Sequence, residues 1–342
     1  MLAAQFLGPG RVEAVDTDNP TPRAGEALLR IDGCGICGTD LYIYSGKHPR
    51  ARPPVILGHE FFGHIVAMGP EEDAPTDFRT GDRVTCFPLI SCGTCHACRT
   101  SNSHVCRSLR LYGIDEAGGM AEYVRLPVST LVKLPDALSS GAAALIEPLA
   151  VGVHAVELVA APLNATDTGV VIGAGPIGLV TAIALRHRGV ENIIVTDLNE
   201  FRLEIARNLS FDAYNPLEED VVELVRARTE GEGADLVFEA AGTPPAARQM
   251  TEVARCRSTI VNVSVFKEPA EVDLQAVNFK ELTLVGAHVY TPDDYRTAIE
   301  VAQGGEVEKL VTHRLPLQEV SGAFDLFKSG QDVCKIVLEP ES

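Results

Sequence analysis

Cys92, Cys95, Cys98 and Cys106 stand in a C-x2-C-x2-C-x7-C pattern, four soft ligands in one short stretch, with Gly93 letting the chain fold back. Four thiolates so spaced close a tetrahedral zinc site with no open position, which braces a loop and does no chemistry. Upstream lies an incomplete set, Cys37 followed by Gly58-His59-Glu60, which offers one thiolate, one imidazole and one carboxylate from separate segments. Three protein ligands with room for water or substrate is the plan of a catalytic zinc. The chain therefore reads as a carrier of two zinc ions, one structural and one catalytic. Cys34-Gly35-Ile36-Cys37 also has the C-x-x-C spacing of redox proteins, but the metal reading accounts for Cys37 better.

A second site is written in Gly173-Ala174-Gly175-Pro176-Ile177-Gly178, between an apolar strand pattern and a helix pattern. Glycines there permit a tight turn and a close backbone approach to a pyrophosphate at the helix N-terminus. Asp197, at the end of the next strand, suits the adenosine ribose and would repel a 2′-phosphate, which favours NAD over NADP. Arg202 leaves that preference open, because a guanidinium can accommodate phosphate; with NAD it would instead pack over the adenine.

The elements needed to position these residues change character near residue 150. Before it come short β-prone runs such as 27–31 and 65–67, punctuated by Gly and Pro, with both metal sets expected in loops. After it, strands and helices alternate. Strands are expected over 169–172, 192–197, 235–239, 259–264 and 282–286, and helices over 176–188, 200–208, 221–228 and 245–255. Such alternation implies a parallel sheet covered on both faces. Beyond residue 288 a helix over 292–303 and a strand over 334–338 break the series and are expected to return to the first domain.

At 342 residues and 46% apolar content the chain can bury a large core, and its length favours two domains. A formal charge of −18 argues against nucleic acid or an anionic membrane as partner. The apolar run 170–185 is too short, and too broken by Gly173, Gly175, Pro176 and Gly178, to span a membrane. The start of the chain lacks the basic and apolar regions of a secretory signal. Nine cysteines, five of them assigned to zinc, suit a reducing cytoplasm; Cys34, Cys86, Cys256 and Cys334 are expected as buried small hydrophobes.

The order Cys37-Gly38-Thr39-Asp40, Gly58-His59-Glu60, the cysteine quartet, Glu147-Pro148-Leu149 and the glycine-rich turn resembles the zinc-dependent medium-chain dehydrogenases, most of all their sorbitol, butanediol and threonine dehydrogenase branch. The similarity covers essentially the whole chain. It implies a Rossmann doubly wound parallel sheet (150–288) beside a mainly β, GroES-like catalytic domain built from 1–149 and 289–342, with the active site in the cleft between. It implies Cys37, His59 and Glu60 as the zinc set, with Glu147 binding the metal directly or through its water. Thr39 matches the hydroxyl that takes the proton of the alcohol while hydride passes to the nicotinamide. For Glu147 the alternative is a plain helix-start acid ahead of Pro148.

Many relatives carry a histidine five residues after the zinc cysteine, where this chain has Tyr42. A tyrosine of ordinary pKa about 10 does not simply replace an imidazole near 6.5. The proton can leave through Tyr42, through the nicotinamide ribose and water, or through His48. The loop 45–52 holds Lys47, His48, Arg50 and Arg52, either as a solvated surface or facing an anionic substrate. Tyr290 matches a pocket tyrosine of the sorbitol enzymes, but their neighbouring arginine is replaced by Val289. The expected activity is oxidation of a secondary alcohol of a polyol or sugar alcohol. The alternatives are a sugar acid, L-threonine, or a non-catalytic NAD-binding protein that has kept the fold. Relatives form homo-oligomers, dimers or tetramers.

Overall fold

The computed structural model describes residues 1–70, 77–330 and 332–340, and the chain divides into two compact units, Met1–Glu147 with Ala302–Ser342 and Pro148–Val301. The first unit is built on a seven-stranded sheet. Its longest members, Glu26–Gly35 and Glu60–Met68, pair antiparallel. Alternation along the first of these buries Ala27, Leu29 and Ile31 on one face, the two-residue period of a strand with one side in the core. The final strand, Lys335–Glu339, lies between two others. It runs antiparallel to Glu26–Gly35, with Val337 opposite Gly35, and parallel to Val311–Pro316. The strand Lys335–Glu339 is thus held from both sides inside the sheet that Glu26–Gly35 begins.

The second unit is a six-stranded, wholly parallel sheet in the spatial order Asp212–Tyr214, Asn192–Thr196, Thr168–Ile172, Ala234–Glu239, Ala254–Asn262 and Thr283–Gly286. The order reverses beside the central strand Thr168–Ile172, the crevice where doubly wound sheets bind ligands. Every residue of that strand is buried, as covering on both faces requires. Helices Pro176–His187, Glu200–Asn208, Val221–Arg228 and Pro244–Val253 supply the cover. Their starts are fixed locally: Asn199 accepts from the Arg202 amide at 3.2 Å, and Asp220 from the Val222 and Glu223 amides at 3.1 Å, each such cap being worth about 1 kcal/mol. Among the described residues no helix is long and apolar enough to cross a membrane.

Five features differ from the sequence expectation. The edge strand Asp212–Tyr214 and the six-residue helix Leu274–Phe279 are too short for periodicity to reveal. The strand expected from 259 starts at Ala254, because a register irregularity between Ala234 and Leu236 lets both segments pair earlier. Helix Pro292–Ala302 lies in the second unit up to Val301; its Asp294 accepts from Thr291 N at 2.8 Å and sits 2.8 Å from His154 of the same unit. Cys256 is exposed, whereas Cys34, Cys86 and Cys334 are buried.

The strand-to-helix turn of the second unit depends on one close approach. A Cβ on Gly178 would lie 1.7 Å from the carbonyl oxygen of Gly173, with backbone rather than a movable side chain in the way. Gly178→Ala should therefore cost about 1–3 kcal/mol, the usual range for overpacking. Urea unfolding measures this directly, and an unshifted midpoint would show that the turn has slack.

Candidate metal centre and dinucleotide loop

Cys37 is the N-cap of the short helix Gly38–Tyr44. Its Sγ accepts from Thr39 N at 3.5 Å, and the Asp40 carboxylate reaches back to accept from Cys37 N at 2.8 Å. The sulfur thus caps the N-terminus of this helix. Cys34, three residues earlier, is its opposite: burial, with Asp40 and Glu60 nearby, pushes its thiol well up, so it is no partner in a redox pair. His59 follows Gly58, whose φ of +96° and crowding by Cys34 and Met120 leave no space for a side chain. Glu60 opens the strand Glu60–Met68, so this ligand sits in a sheet and not in the loop the sequence suggested.

Glu60 stands opposite Gly35 on the neighbouring strand, and a Cβ there would lie 2.1 Å from its Oε2. The carboxylate lies across bare backbone. Lys335 comes from the last strand to meet it, donating from Nζ to Oε1 at 2.8 Å, to Oε2 at 2.6 Å and to the Ile36 carbonyl at 3.1 Å. Both partners are almost wholly buried, and loss of one member of such a pair costs roughly 3–5 kcal/mol. Nothing in the local sequence announces Lys335; it lies 275 residues from Glu60.

The ligand atoms of Cys37, His59 and Glu60 lie within 4.8 Å of one another. His59 Nδ1 is 3.9 Å from Asp40 Oδ1, too far for a hydrogen bond, and both atoms are buried without a partner. This leaves Nε2 for a metal, with Asp40 behind the ring in the supporting role common for ligating histidines. Burial opposes a charge on His59, but the Cys37 thiolate, Asp40 and Glu147 outweigh it and hold its pKa well above the ordinary value. Burial also raises Asp40 to about 6, against the pull of His59. Burial works against the Lys335 ammonium too, but Glu60, Cys37 and Glu147 hold its pKa above normal. A pocket this anionic, with a thiolate, an imidazole and a carboxylate converging, fits a divalent cation of zinc type. Glu147, buried in the first turn of helix Ile146–Glu157, acts electrostatically on His59 and Lys335 but stands outside the mutually close set. Its place in the first turn agrees with the helix-start reading of Glu147.

The cysteine quartet gathers as expected from its spacing. The sulfur of Cys95 is 3.4 Å from that of Cys98 and 3.8 Å from that of Cys106, and Cys92 is 4.0 Å from Cys98. Sulfurs about 2.3 Å from a tetrahedral zinc are about 3.8 Å apart, so the spacing suits that ion. The amide of Cys95 donates to Cys92 Sγ and that of Cys92 to Cys106 Sγ; hydrogen bonds from Thr94, then from Cys95, bring Cys92 down to about 5. Burial pushes Cys98 up to about 11.

Thr39 and Tyr42 sit one turn apart on the helix Gly38–Tyr44, hence on one face. The Tyr42 ring meets His48 edge-on at 6.0 Å. His48 itself is a clasp for its loop: Nδ1 accepts from the Ala51 amide at 3.0 Å and the Arg50 amide at 3.4 Å. Burial, then Arg50, holds its pKa below the ordinary value. A neutral ring that accepts at Nδ1 carries its proton on Nε2, so taking a further proton would break both amide bonds. Arg50 is committed to Asp115 by two contacts of 3.1 Å, while Lys47 and Arg52 remain exposed. Tyr290 is fully buried, 5.4 Å from the ring of Tyr295.

In the second unit Gly173 has φ +106°, Gly175 is the N-cap of helix Pro176–His187, and Pro176 takes its first position, followed by Ile177. Above Gly175 there is open space; a Cβ there would find only Arg202 Nη1, at 4.0 Å. Asp197 braces the turn, accepting from Ala174 N at 2.8 Å and Asn199 N at 2.9 Å, and its Oδ2 is 3.8 Å from Arg202 Nη1. Arg202 Nε is buried without a partner. A helix N-terminus with bare backbone before it, a carboxylate and an unsatisfied guanidinium fits a dinucleotide.

Residues 23–136 match the alcohol dehydrogenase GroES-like domain, and residues 176–304 the zinc-binding dehydrogenase family. The 2-dehydro-3-deoxy-L-galactonate 5-dehydrogenase of Pseudoalteromonas atlantica is 35% identical over 95% of this chain and 94% of its own length. The L-threonine 3-dehydrogenase of Deinococcus deserti is 33% identical over 96% of this chain and 95% of its own. An alcohol dehydrogenase from Escherichia coli CFT073, complexed with NADH, superposes with a TM-score of 0.89 at 32% identity, covering 99% of each chain. The chain belongs to the zinc-dependent medium-chain dehydrogenases, oxidoreductases of CH–OH groups.

The two cysteine sites should separate experimentally. Cys95→Ser opens a closed site whose metal contributes folding energy, so it should lower thermal stability markedly. Cys37→Ser should abolish turnover while leaving the melting temperature within a few degrees of the parent. Thermal scans with zinc analysis check this, and equal loss of stability in both variants would overturn the division of labour.

Proposed function

We propose that this protein oxidises a secondary alcohol of a polyol or related sugar alcohol to the ketone, with NAD as hydride acceptor and a catalytic zinc held by Cys37, His59 and Glu60. The observation that carries the reading is the convergence of those three ligand atoms within 4.8 Å at a buried site that also contains Asp40 and Lys335. When bound, zinc supplies Lewis-acid polarisation of the alcohol, and the dinucleotide takes the hydride. The chain's own residues handle the proton and the orientation. Thr39 follows Cys37 by two positions on the capped helix, where its hydroxyl takes the alcohol proton. Glu147 acts on the centre directly or through water. His48 is committed to two amides, so a bound dinucleotide would supply a ribose hydroxyl through which the proton could leave to water, with Tyr42 filling space beside Thr39.

Gly173, Gly175, Pro176, Ile177 and Gly178 cradle the pyrophosphate in this reading, Asp197 holds the adenosine ribose, and Arg202 packs over the adenine. Cys92, Cys95, Cys98 and Cys106 hold a second, structural zinc. A sugar acid is the second reading: Lys47 and Arg52 are exposed in the loop that follows Thr39, and one relative acts on a deoxy-galactonate. L-threonine fits less well because Tyr42 replaces the family's histidine. The retained Cys37, His59, Glu60 and Glu147 argue against a non-catalytic NAD-binding protein, which would carry one zinc per chain rather than two. A homo-oligomer in the cytoplasm completes the proposal.

A panel of polyols, diols, aldonates and L-threonine, assayed by NAD reduction at 340 nm on protein containing about two zinc ions per chain, tests the activity. No turnover on any of them would overturn it. For the cofactor, Asp197→Ser removes the ribose acceptor and the repulsion of a 2′-phosphate while freeing Arg202. The NADP-to-NAD ratio of kcat/KM should rise at least about tenfold, roughly 1.4 kcal/mol; an unchanged ratio would contradict the role of Asp197. For the proton, Thr39→Val should lower kcat roughly a hundredfold with zinc content intact, and Tyr42→Phe should be mild. A large loss of kcat in Tyr42→Phe, with metal and cofactor binding unaltered, would put the tyrosine hydroxyl in the relay.

A further inference from the structure

We infer that Lys335, delivered by the last strand of the chain, is a positioning residue that competes with the metal for the Glu60 carboxylate and so sets how tightly the reactive-site zinc is held. The inference rests on reading Cys37, His59 and Glu60 as a zinc centre. Lys335 Nζ spends all three of its donors within the first unit: one on each oxygen of Glu60 and one on the Ile36 carbonyl. None is left for solvent, and the ammonium has no other place to go. Its strand is pinned between Glu26–Gly35 and Val311–Pro316, so the lysine backbone cannot drift away from Glu60. On the other side, Gly35 provides the bare backbone over which Oε2 rests, a seat that any side chain would occupy.

A carboxylate whose two oxygens both accept charge-assisted hydrogen bonds donates less electron density to a cation, and the ammonium itself repels a divalent ion. Glu60 can serve the metal only as far as Lys335 releases it. Among the described residues no ammonium hydrogen-bonds to Cys37 or His59: the sulfur accepts from a backbone amide at 3.5 Å and interacts with the His59 ring, whose Nδ1 lies 3.9 Å from Asp40. The centre therefore has two committed ligands and one contested ligand. A contested third position is what a site needs if it is to exchange water and alcohol without losing its ion.

The test is zinc release into excess chelator, followed with a colorimetric indicator, for the zinc-loaded parent, Lys335→Met, Glu60→Gln and the double variant. The cysteine-quartet zinc serves as the internal standard. Freed from its competitor, Glu60 should hold the ion more firmly, and Lys335→Met should slow release from the reactive site at least about tenfold, roughly 1.4 kcal/mol. In the Glu60→Gln background the same change should have little effect, since the contested ligand is gone. Faster release from Lys335→Met would show that the lysine merely props the fold. Equal slowing in both backgrounds would show a general charge effect and no contest for Glu60; either result overturns the inference. Should Lys335→Met not fold, Lys335→Gln, which keeps a donor without the charge, should slow release by a smaller factor, and no slowing would overturn the inference equally. A parent protein that holds one zinc, unchanged by Cys37→Ser, would overturn the zinc centre itself. Two zinc ions with unaltered release would remove only the role of Lys335.

Discussion

Cys37, Asp40, Glu60 and Glu147 concentrate negative charge around His59 in the interior of the first unit, and Lys335 sets a buried ammonium against it. Much of the local architecture serves to make that concentration tolerable. The helix cap of Cys37 directs backbone amides at the sulfur, the capping box employs one oxygen of Asp40, and the last strand brings an ammonium onto Glu60. A divalent ion bound there would offset what remains. Without it, His59 is pulled toward its protonated form by the anions around it, despite its burial. The metal and the proton compete for one imidazole, so metal affinity at this site falls as the pH is lowered.

The second cysteine cluster solves a different problem. It lies among short turns and a four-residue helix, where few side chains are buried, so a cross-link has to replace a core. Four sulfurs at a spacing that suits a tetrahedral ion would provide the link when metal is bound, and closed coordination would keep it out of the chemistry. Between the two sites the same residue type thus plays opposite roles. The difference lies in the number of neighbours that complete the shell.

In the second unit the glycine-rich turn is governed by steric closeness more than by charge. Gly178 packs against the backbone of Gly173, while Gly175 leaves open space at the start of a twelve-residue helix. Asp197 and Arg202 then meet at the rim of that space. The carboxylate engages the amide of Ala174 and so braces the glycine-rich turn.

The sequence alone determined whatever is carried by short spacings: the cysteine quartet, the strand, glycine turn and helix of the dinucleotide site, and the alternation that makes a parallel sheet. These are local because one loop or one supersecondary unit holds all the partners. The pairing of Cys37 with His59 and Glu60 was legible only as a constellation of separate motifs, and the strand position of Glu60 was not. His48 read as a candidate base until its contacts with the Ala51 and Arg50 amides came into view. Asp40 could be seen beside Cys37, but its place behind His59 depends on how two segments are set against each other. Lys335 carries no motif at all, since its meaning comes from sheet register, which seats Val337 opposite Gly35 and Gly35 opposite Glu60. Register between strands some three hundred residues apart in the chain is decided by the packing of whole faces, and that is why only the tertiary structure could supply it.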